Sequence, residues 1–104
     1  MADKRALLDD RAIADGLRNL PAWEGDSEGI SRTAELASFR AAIAVVEAVA
    51  DIAEEMDHHP DIDIRWRTLT FHNATHSSGG VTRLDLELAK RIDEVIGSVS
   101  ETAL

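Results

Sequence analysis

The chain has 104 residues, of which 44% are hydrophobic and none is cysteine, so we expect one folded domain over residues 1–104 without disulfides or thiolate metal sites. Its formal net charge is −9, which repels phosphate backbones and argues against direct nucleic-acid binding. The N-terminus has no continuous apolar segment, and the longest apolar stretch, "AAIAVVEAVA", is short and contains Glu47, so we expect a cytoplasmic protein with no secretory signal and no membrane partner.

The first half of the chain predicts a helix, two short strands and a long helix. Apolar residues recur at helical spacing within residues 9–20. Glycines and a proline in "PAWEGDSEGISRTAEL" predict a turn between strands at about 22–26 and 29–36. The clearest helix spans residues 38–56, is rich in alanine and begins at Ser38, a good capping residue.

This long helix is apolar around most of its circumference. Its charged residues fall along one strip: Arg40, Glu47, Asp51 and Glu54. The apolar arc is therefore wider than the stripe that a surface helix buries. Either alanine methyl groups are exposed without consequence, or the helix contacts a helix of another subunit. We favour the subunit contact.

The second half predicts strands and a last helix. Pro60 disfavours helical backbone at the preceding residue, so the long helix should end near His58. Residues 62–76 alternate, and a continuous strand would place these residues on one face: Ile64, Trp66, Thr68, Thr70, His72, Ala74 and His76. A hairpin or a bend can also divide this stretch. Thr82 then caps a helix whose apolar face contains Leu84, Leu88, Ile92, Val95 and Val99.

The order of these elements is helix, two strands, helix, two strands, helix. We therefore predict an α+β domain in which three helices pack on one face of an antiparallel sheet of four strands, in the order α-β-β-α-β-β-α.

All four histidines lie within "EEMDHHPDIDIRWRTLTFHNATH", residues 54–76, and three interpretations of them are open. A metal site is disfavoured because His72 and His76 would lie about 13 Å apart in a strand, and the adjacent His58 and His59 make a poor chelate. General acid–base catalysis suits imidazoles, which titrate near neutral pH. A structural role is the ordinary expectation for His72, in mid-strand.

The spacing of several residues in this region follows a known pattern. It consists of an acidic residue, His-His-Pro, an aromatic residue, a further histidine and an aspartate, and the matching residues are Glu54, His58, His59, Pro60, Trp66, His76 and Asp85. This series resembles the pterin-4a-carbinolamine dehydratases. The segments "LPAWE", "ISR", "VADIAEEMDHHP", "ATHSSGGVTRLD" and "LAKRID" agree, so the resemblance extends over about residues 13–97. The chain departs from the family at Trp66, where tyrosine is common, and at Ile62, where many members carry an aromatic residue.

The resemblance implies the dehydration of a 4a-hydroxytetrahydropterin to the quinonoid dihydropterin, without a metal or a bound cofactor. A base takes the proton on N5 and an acid protonates the leaving 4a hydroxyl. By the resemblance, His58 and His76 are the acid–base candidates, and His59 binds the pterin and assists. Backbone groups that hold the pterin ring would come from Asp57, Ala74, Thr75, His76 and Ser77.

Four further residues are candidates for supporting roles, and the first three have two interpretations each. Asp85 completes a Thr-x-x-Asp capping box, and by the resemblance it also lies near His76 and fixes its tautomer. Glu54 either touches the pocket or is a solvated acid, which we favour. Trp23 either lines the pocket or packs in the core, the commoner place for a tryptophan. Trp66 supplies the aromatic residue of the motif.

The resemblance also implies partners. Members of the family form homodimers through the sheet and homotetramers through helices, and they act alongside an aromatic amino acid hydroxylase. Some animal members are also dimerisation cofactors of a homeodomain transcription factor, so a non-catalytic interaction protein is the alternative. The presence of all three motif histidines favours the enzyme.

Overall fold

The computed structural model describes residues 4–102, so both ends of the predicted domain, residues 1–3 and 103–104, lie outside the described residues. The predicted order of three helices and four strands is confirmed. A short 3₁₀ turn at His76–Ser78 is added before the last helix. The elements are α1 Asp10–Leu17, β1 Glu24–Asp26, β2 Gly29–Glu35, α2 Phe39–Met56, β3 Asp61–Arg65, β4 Thr68–Asn73 and α3 Arg83–Thr102.

The four strands form one antiparallel sheet in the order β1-β2-β4-β3. Successive side chains of a strand point to opposite faces, and one face of this sheet is buried under the helices. Its residues, together with the apolar faces of the helices, form the core. The strands contribute Ile30, Ala34, Leu69 and Phe71 to this core. The opposite face carries a polar row across the central strands, in which Thr33 lies opposite Thr70.

The stretch from residue 62 to 76 is a hairpin and not one continuous strand. The chain reverses between Arg65 and Thr68, which are paired across β3 and β4. Trp66, at this turn, has a φ of 55°, in the left-handed region. The reversal puts Ile64 opposite Leu69 on the helix-covered side, so the predicted shared face of Ile64 with Thr68 is wrong. The alternative of a hairpin is confirmed.

Helix α2 begins and ends with local signals that the sequence predicts. The Ser38 hydroxyl accepts a hydrogen bond from the Ala41 N–H at 3.0 Å. The helix ends at Met56, close to the predicted end. Its buried residues are Ala42, Val45, Val49 and Ala53. None of the helices within residues 4–102 is long and apolar enough to cross a membrane.

Helix α3 begins at the predicted capping box. The Leu84 N–H donates to the Thr82 hydroxyl at 3.2 Å, and the Thr82 N–H donates to the Asp85 carboxylate at 2.8 Å. This reciprocal arrangement satisfies two backbone donors at the helix start. The helix then packs against α2, and its buried residues, which include Leu88 and Ile92, belong to the core. Asp85 is thereby held in the first turn of α3, beside the end of α2.

Candidate functional site

The end of α2 positions two adjacent histidines in different environments. Asp57 caps this end in the left-handed conformation, with φ 50° and ψ 45°. The Asp57 N–H donates to the Glu54 carbonyl at 3.3 Å, and the His58 N–H donates to the Ala53 carbonyl at 3.0 Å. This double closure satisfies helix carbonyls and reverses the chain. As a result, the His58 side chain is buried at 6% exposure, whereas the His59 side chain is 56% exposed.

The buried histidine is paired with a fully buried carboxylate. His58 Nε2 lies 2.6 Å from Asp85 Oδ1. The other carboxylate oxygen, Oδ2, accepts from the Thr75 hydroxyl and from the Thr82 N–H, each at 2.8 Å. In addition, the Asn73 amide donates to the Asp85 carbonyl at 3.1 Å. Asp85 therefore links the end of α2, the end of β4 and the start of α3.

This pairing corrects one expectation for Asp85. The resemblance put Asp85 near His76 as the group that fixes its tautomer. The hydrogen bond goes instead to His58, because α3 packs its first turn against the end of α2. The capping-box interpretation of Asp85 is confirmed, and the carboxylate fills both roles at once.

The geometry of the pair also indicates which His58 nitrogen is available for chemistry. A carboxylate can only accept hydrogen bonds, so Nε2 carries a hydrogen and donates it to Asp85. Nδ1 makes no hydrogen bond with any described residue, and it is not among their buried unpaired side-chain atoms. The small exposed part of the ring therefore includes Nδ1, which is left free to accept a proton.

His59 is paired on the surface with the acidic residue of the motif. Its Nε2 lies 2.6 Å from Glu54 Oε2, and both side chains are more than half exposed. Glu54 is thus solvated, as predicted, but it also contacts a motif histidine. An exposed pair of this kind contributes little to stability, and salt weakens it. Its effect is to restrict the orientations of the His59 ring.

His76 lies on the 3₁₀ turn that follows β4, and not on a strand as predicted. Its side chain is exposed and makes no hydrogen bond or ion pair with the described residues. The preceding residues, Ala74 and Thr75, are buried, whereas Ser77 is exposed. Because the Thr75 side chain is bonded to Asp85, His76 stands one residue from the network that holds His58.

The two tryptophans lie apart from this cluster. Trp23 is buried at 4% exposure, and its Nε1–H donates to Asp93 at 2.8 Å, so it packs in the core. Trp66 is 71% exposed at the hairpin turn, beside Arg67. Strand β3 is about 13 Å long. It begins at Asp61, shortly after the two adjacent histidines, and Trp66 lies beyond its other end. Within one chain, Trp66 is therefore not brought to the site.

His72 is also separate from the cluster. It lies in β4 on the open face of the sheet, where its Nδ1 is 3.9 Å from an Asp61 oxygen. This agrees with the structural role expected for a mid-strand histidine.

A cavity of about 660 Å³ is lined in part by residues that are next to site residues in the sequence. Its lining includes Glu55 and Leu84, which neighbour site residues, but no predicted site residue lines it. The cluster of histidines is therefore distinct from this cavity. Among the side chains that the structure describes, no three of His, Cys, Asp or Glu converge as metal ligands.

The sequence did not indicate a side-chain role for Thr75 or Asn73. Both are fully or almost fully buried, and both donate to Asp85. The capping-box spacing of Thr82 and Asp85 was the only local signal for this network. A threonine or an asparagine at the end of a strand is ordinary, so neither was predicted to hold the carboxylate.

The fold and the cluster define a class: a small α+β domain in which a buried His–Asp pair joins the end of α2 to the start of α3, with one exposed histidine next to it in the chain and another on the turn after β4. A family model described as pterin 4 alpha carbinolamine dehydratase matches residues 6–95. The chain belongs to this family.

Relatives and solved structures agree with this assignment. A protein of Nocardia farcinica named "Putative pterin-4-alpha-carbinolamine dehydratase" is 55% identical over 89 residues, which cover 86% of this chain and 94% of the relative. A protein of the same name from Mycobacteroides abscessus is 48% identical and covers 88% of this chain and 98% of the relative.

Among solved structures, a transcriptional coactivator/pterin dehydratase from Brucella melitensis superimposes with a TM-score of 0.84 at 30% identity, over 86% of this chain and 98% of that one. A pterin dehydratase-like RuBisCO assembly factor of the alpha-carboxysome has a TM-score of 0.60 at 20% identity, over 72% of this chain and 87% of that one. The second likeness extends to the fold alone.

Proposed function

We propose that this protein is a hydro-lyase that dehydrates 4a-hydroxytetrahydropterin to quinonoid dihydropterin and so supports the recycling of tetrahydrobiopterin. Membership of the dehydratase family supports the reaction class. The observation that carries the proposal is the His58–Asp85 pair, which leaves a free imidazole nitrogen on His58, while the exposed His76 follows Thr75, a donor to the same carboxylate. Such a pair of imidazoles suits a reaction that removes one proton and delivers another.

The reaction needs two proton transfers. We assign His58 as the base, because Asp85 holds its Nε2–H and leaves Nδ1 to accept the N5 proton of the pterin. The electron pair of the N5–H bond forms the new N5=C4a double bond as the C4a–O bond breaks. We assign His76, which is exposed, as the acid that protonates the departing hydroxyl so that it leaves as water. The carboxylate of Asp85 faces the positive charge that develops on His58.

Binding of the pterin is assigned to groups around these histidines. His59, oriented by Glu54, would contact the ring from the exposed side. Backbone groups of the turn that carries His76, together with that of Asp57, would hold its polar edge. The residues of this turn are Ala74, Thr75, His76 and Ser77. The pterin is the substrate, and the proposal includes no metal and no cofactor.

The proposal extends to partners and location. We infer a homodimer or homotetramer, because Phe39, Ile64 and Trp66 are large apolar residues that stay exposed in the single chain. A functional link to an aromatic amino acid hydroxylase, which would supply the substrate, follows from the reaction. A cytoplasmic location and the absence of nucleic-acid binding remain predictions from the composition and the charge of −9.

A second candidate is a non-catalytic role as an interaction or dimerisation partner. It is favoured by the name of the Brucella melitensis structure, which includes a transcriptional coactivator. A binding-only protein has no need of a free imidazole nitrogen held by a buried carboxylate. The His58–Asp85 pair therefore favours the enzyme.

Three histidine variants test the proposal with an internal control. The rate of dehydration of freshly generated 4a-hydroxytetrahydropterin is measured for the wild type, His58→Ala, His76→Ala and His72→Ala. We expect each of the first two variants to lose roughly 10²–10⁴-fold in rate, the usual contribution of a positioned proton donor or acceptor. His72→Ala, on the open face of the sheet, should retain the wild-type rate. Equal rates for all four proteins would contradict the assignment of the site.

A further inference from the structure

Thr75 closes the turn that carries His76. The Thr75 carbonyl accepts from the Ser78 N–H at 3.0 Å and from the Gly79 N–H at 2.9 Å. The Thr75 N–H donates to the Gly80 carbonyl at 2.9 Å. Both the N–H and the carbonyl of Thr75 are thus hydrogen-bonded to residues at the far end of the turn, so a displacement of Thr75 would move His76 with it.

The side chain of Thr75 belongs to the network of the other histidine. Thr75 is 1% exposed, and its hydroxyl lies 2.8 Å from Asp85 Oδ2 and 2.7 Å from the Thr82 hydroxyl. Because the carboxylate only accepts, Thr75 donates to Asp85, and Thr82 must then donate to Thr75. The Thr82 oxygen is itself occupied as the acceptor of the Leu84 N–H. The direction of this chain of hydrogen bonds is therefore fixed.

The fixed chain determines how the carboxylate meets His58. Two donors, the Thr75 hydroxyl and the Thr82 N–H, hold Oδ2, so the carboxylate cannot rotate without breaking both hydrogen bonds. Oδ1 is consequently kept 2.6 Å from His58 Nε2, where it accepts the Nε2–H. The neutral His58 ring is thereby kept in the tautomer whose Nδ1 is unprotonated.

We propose that Thr75 is a positioning residue that couples the two histidines. Its hydroxyl anchors the His76 turn to the carboxylate that sets the orientation and tautomer of His58. One buried hydroxyl thus fixes both the spacing of the two rings and the nitrogen that His58 presents. The structural part of this inference is independent of the reaction, whereas its kinetic part rests on the proposed function.

The kinetic test removes only this hydroxyl. Thr75→Val keeps the shape of the side chain, Thr75→Ser keeps the hydroxyl, and Thr70→Val is the matched control. Thr70 lies in the strand that leads to Thr75 and pairs with the Thr33 hydroxyl at 3.0 Å on the open face of the sheet. We expect Thr75→Val to lower kcat by roughly 10- to 100-fold, the order of loss that follows a misplacement of about 1 Å. KM should change less than kcat, Thr75→Ser should recover most of the rate, and Thr70→Val should match the wild type.

A second measurement reads the tautomer directly. Nitrogen-15 NMR of the His58 ring should find hydrogen on Nε2 and none on Nδ1 in the neutral wild-type ring, and a mixture of tautomers in Thr75→Val. A wild-type ring with hydrogen on Nδ1 would overturn the inference. So would a Thr75→Val variant that loses stability but keeps both the wild-type kcat and the wild-type spectrum.

Together, the kinetic comparison and the NMR comparison distinguish a wrong role for Thr75 from a wrong proposed function. If the folded wild type does not dehydrate the pterin, the proposed function fails while the NMR comparison still decides the role of Thr75. If Thr75→Val does not fold, the wild-type spectrum still tests the tautomer. In that case Thr75→Ala, which removes the same hydroxyl without adding the second methyl group of valine, takes its place in both comparisons, with the same loss of kcat and the same mixture of tautomers expected.

Discussion

The exchange of Asp85 for asparagine is a sharp test of the site, because the new side chain has almost the same shape. The carboxylate accepts three hydrogen bonds, one at Oδ1 from His58 and two at Oδ2 from Thr75 and the Thr82 N–H. An asparagine amide has one oxygen and one NH₂ group, so it can accept on one side only. If the asparagine oxygen faces the Thr75 hydroxyl and the Thr82 N–H, both of these buried donors keep an acceptor. The NH₂ group then points at His58 Nε2.

This orientation has a cost in stability and a larger effect on chemistry. Hydrogen bonds to a charged group contribute about 1.5–3 kcal/mol, and neutral ones about 0.5–1.5 kcal/mol. Weakening the hydrogen bonds at Oδ2 and the hydrogen bond to His58 should lower the free energy of unfolding by about 2–4 kcal/mol. A domain whose free energy of unfolding is about 5–15 kcal/mol remains folded after such a loss. The NH₂ group forces His58 to accept at Nε2, so its hydrogen moves to Nδ1 and the proposed base is lost.

The assay combines urea unfolding, followed by the fluorescence of the buried Trp23, with the dehydration rate. We expect Asp85→Asn to fold and to lose roughly 10²–10⁴-fold in rate, as expected when a base is removed. Nitrogen-15 NMR should find the His58 hydrogen on Nδ1. A variant that keeps the wild-type rate within about threefold while its His58 has changed tautomer would refute the role given to Nδ1.

Three further exchanges test the surroundings of the site. Asp57→Gly should raise the free energy of unfolding, measured by urea titration, by about 0.5–1 kcal/mol, because glycine adopts the left-handed conformation without strain. A loss of stability would mean that the left-handed backbone at Asp57 is not what limits the end of α2. Trp23→Phe removes the hydrogen bond to Asp93 and should cost about 1–3 kcal/mol of stability, with the dehydration rate within about twofold of the wild type. A rate loss at unchanged stability would mean that Trp23 contacts the substrate. Trp66→Ala should leave KM within about twofold, since Trp66 is exposed at the hairpin turn and lies apart from the histidines within one chain; a large rise in KM would put this tryptophan in the pterin site.

The element order was predictable because its signals are local. Ser38 and the Thr82–Asp85 box mark helix starts by their own hydrogen bonds, and Pro60 marks where α2 cannot continue. The hairpin was not singled out because its turn, Trp66–Arg67, lacks the glycine or asparagine that usually marks a two-residue turn. Without that signal, an alternating pattern looks the same for one strand as for two.

The members of the site were predictable from the resemblance of the residue series to the family, but their pairing was not. That resemblance indicated that Asp85 belongs with the histidines, whereas its spacing from Thr82 alone predicted a capping box. Which histidine it meets depends on how the first turn of α3 packs against the end of α2, and this contact joins residues that are far apart in sequence. The same holds for the Thr75 hydroxyl, whose partner is known only once β4 and α3 are side by side.

We propose that this chain catalyses the dehydration of a pterin carbinolamine, and a single rate measurement can decide whether it does. Freshly generated 4a-hydroxytetrahydropterin is mixed with the purified wild-type protein, and formation of the quinonoid dihydropterin is followed against the spontaneous reaction. We expect an acceleration that rises in proportion to the protein concentration and saturates with substrate. A folded protein that leaves the spontaneous rate unchanged would exclude the dehydratase activity and would direct attention to a protein partner.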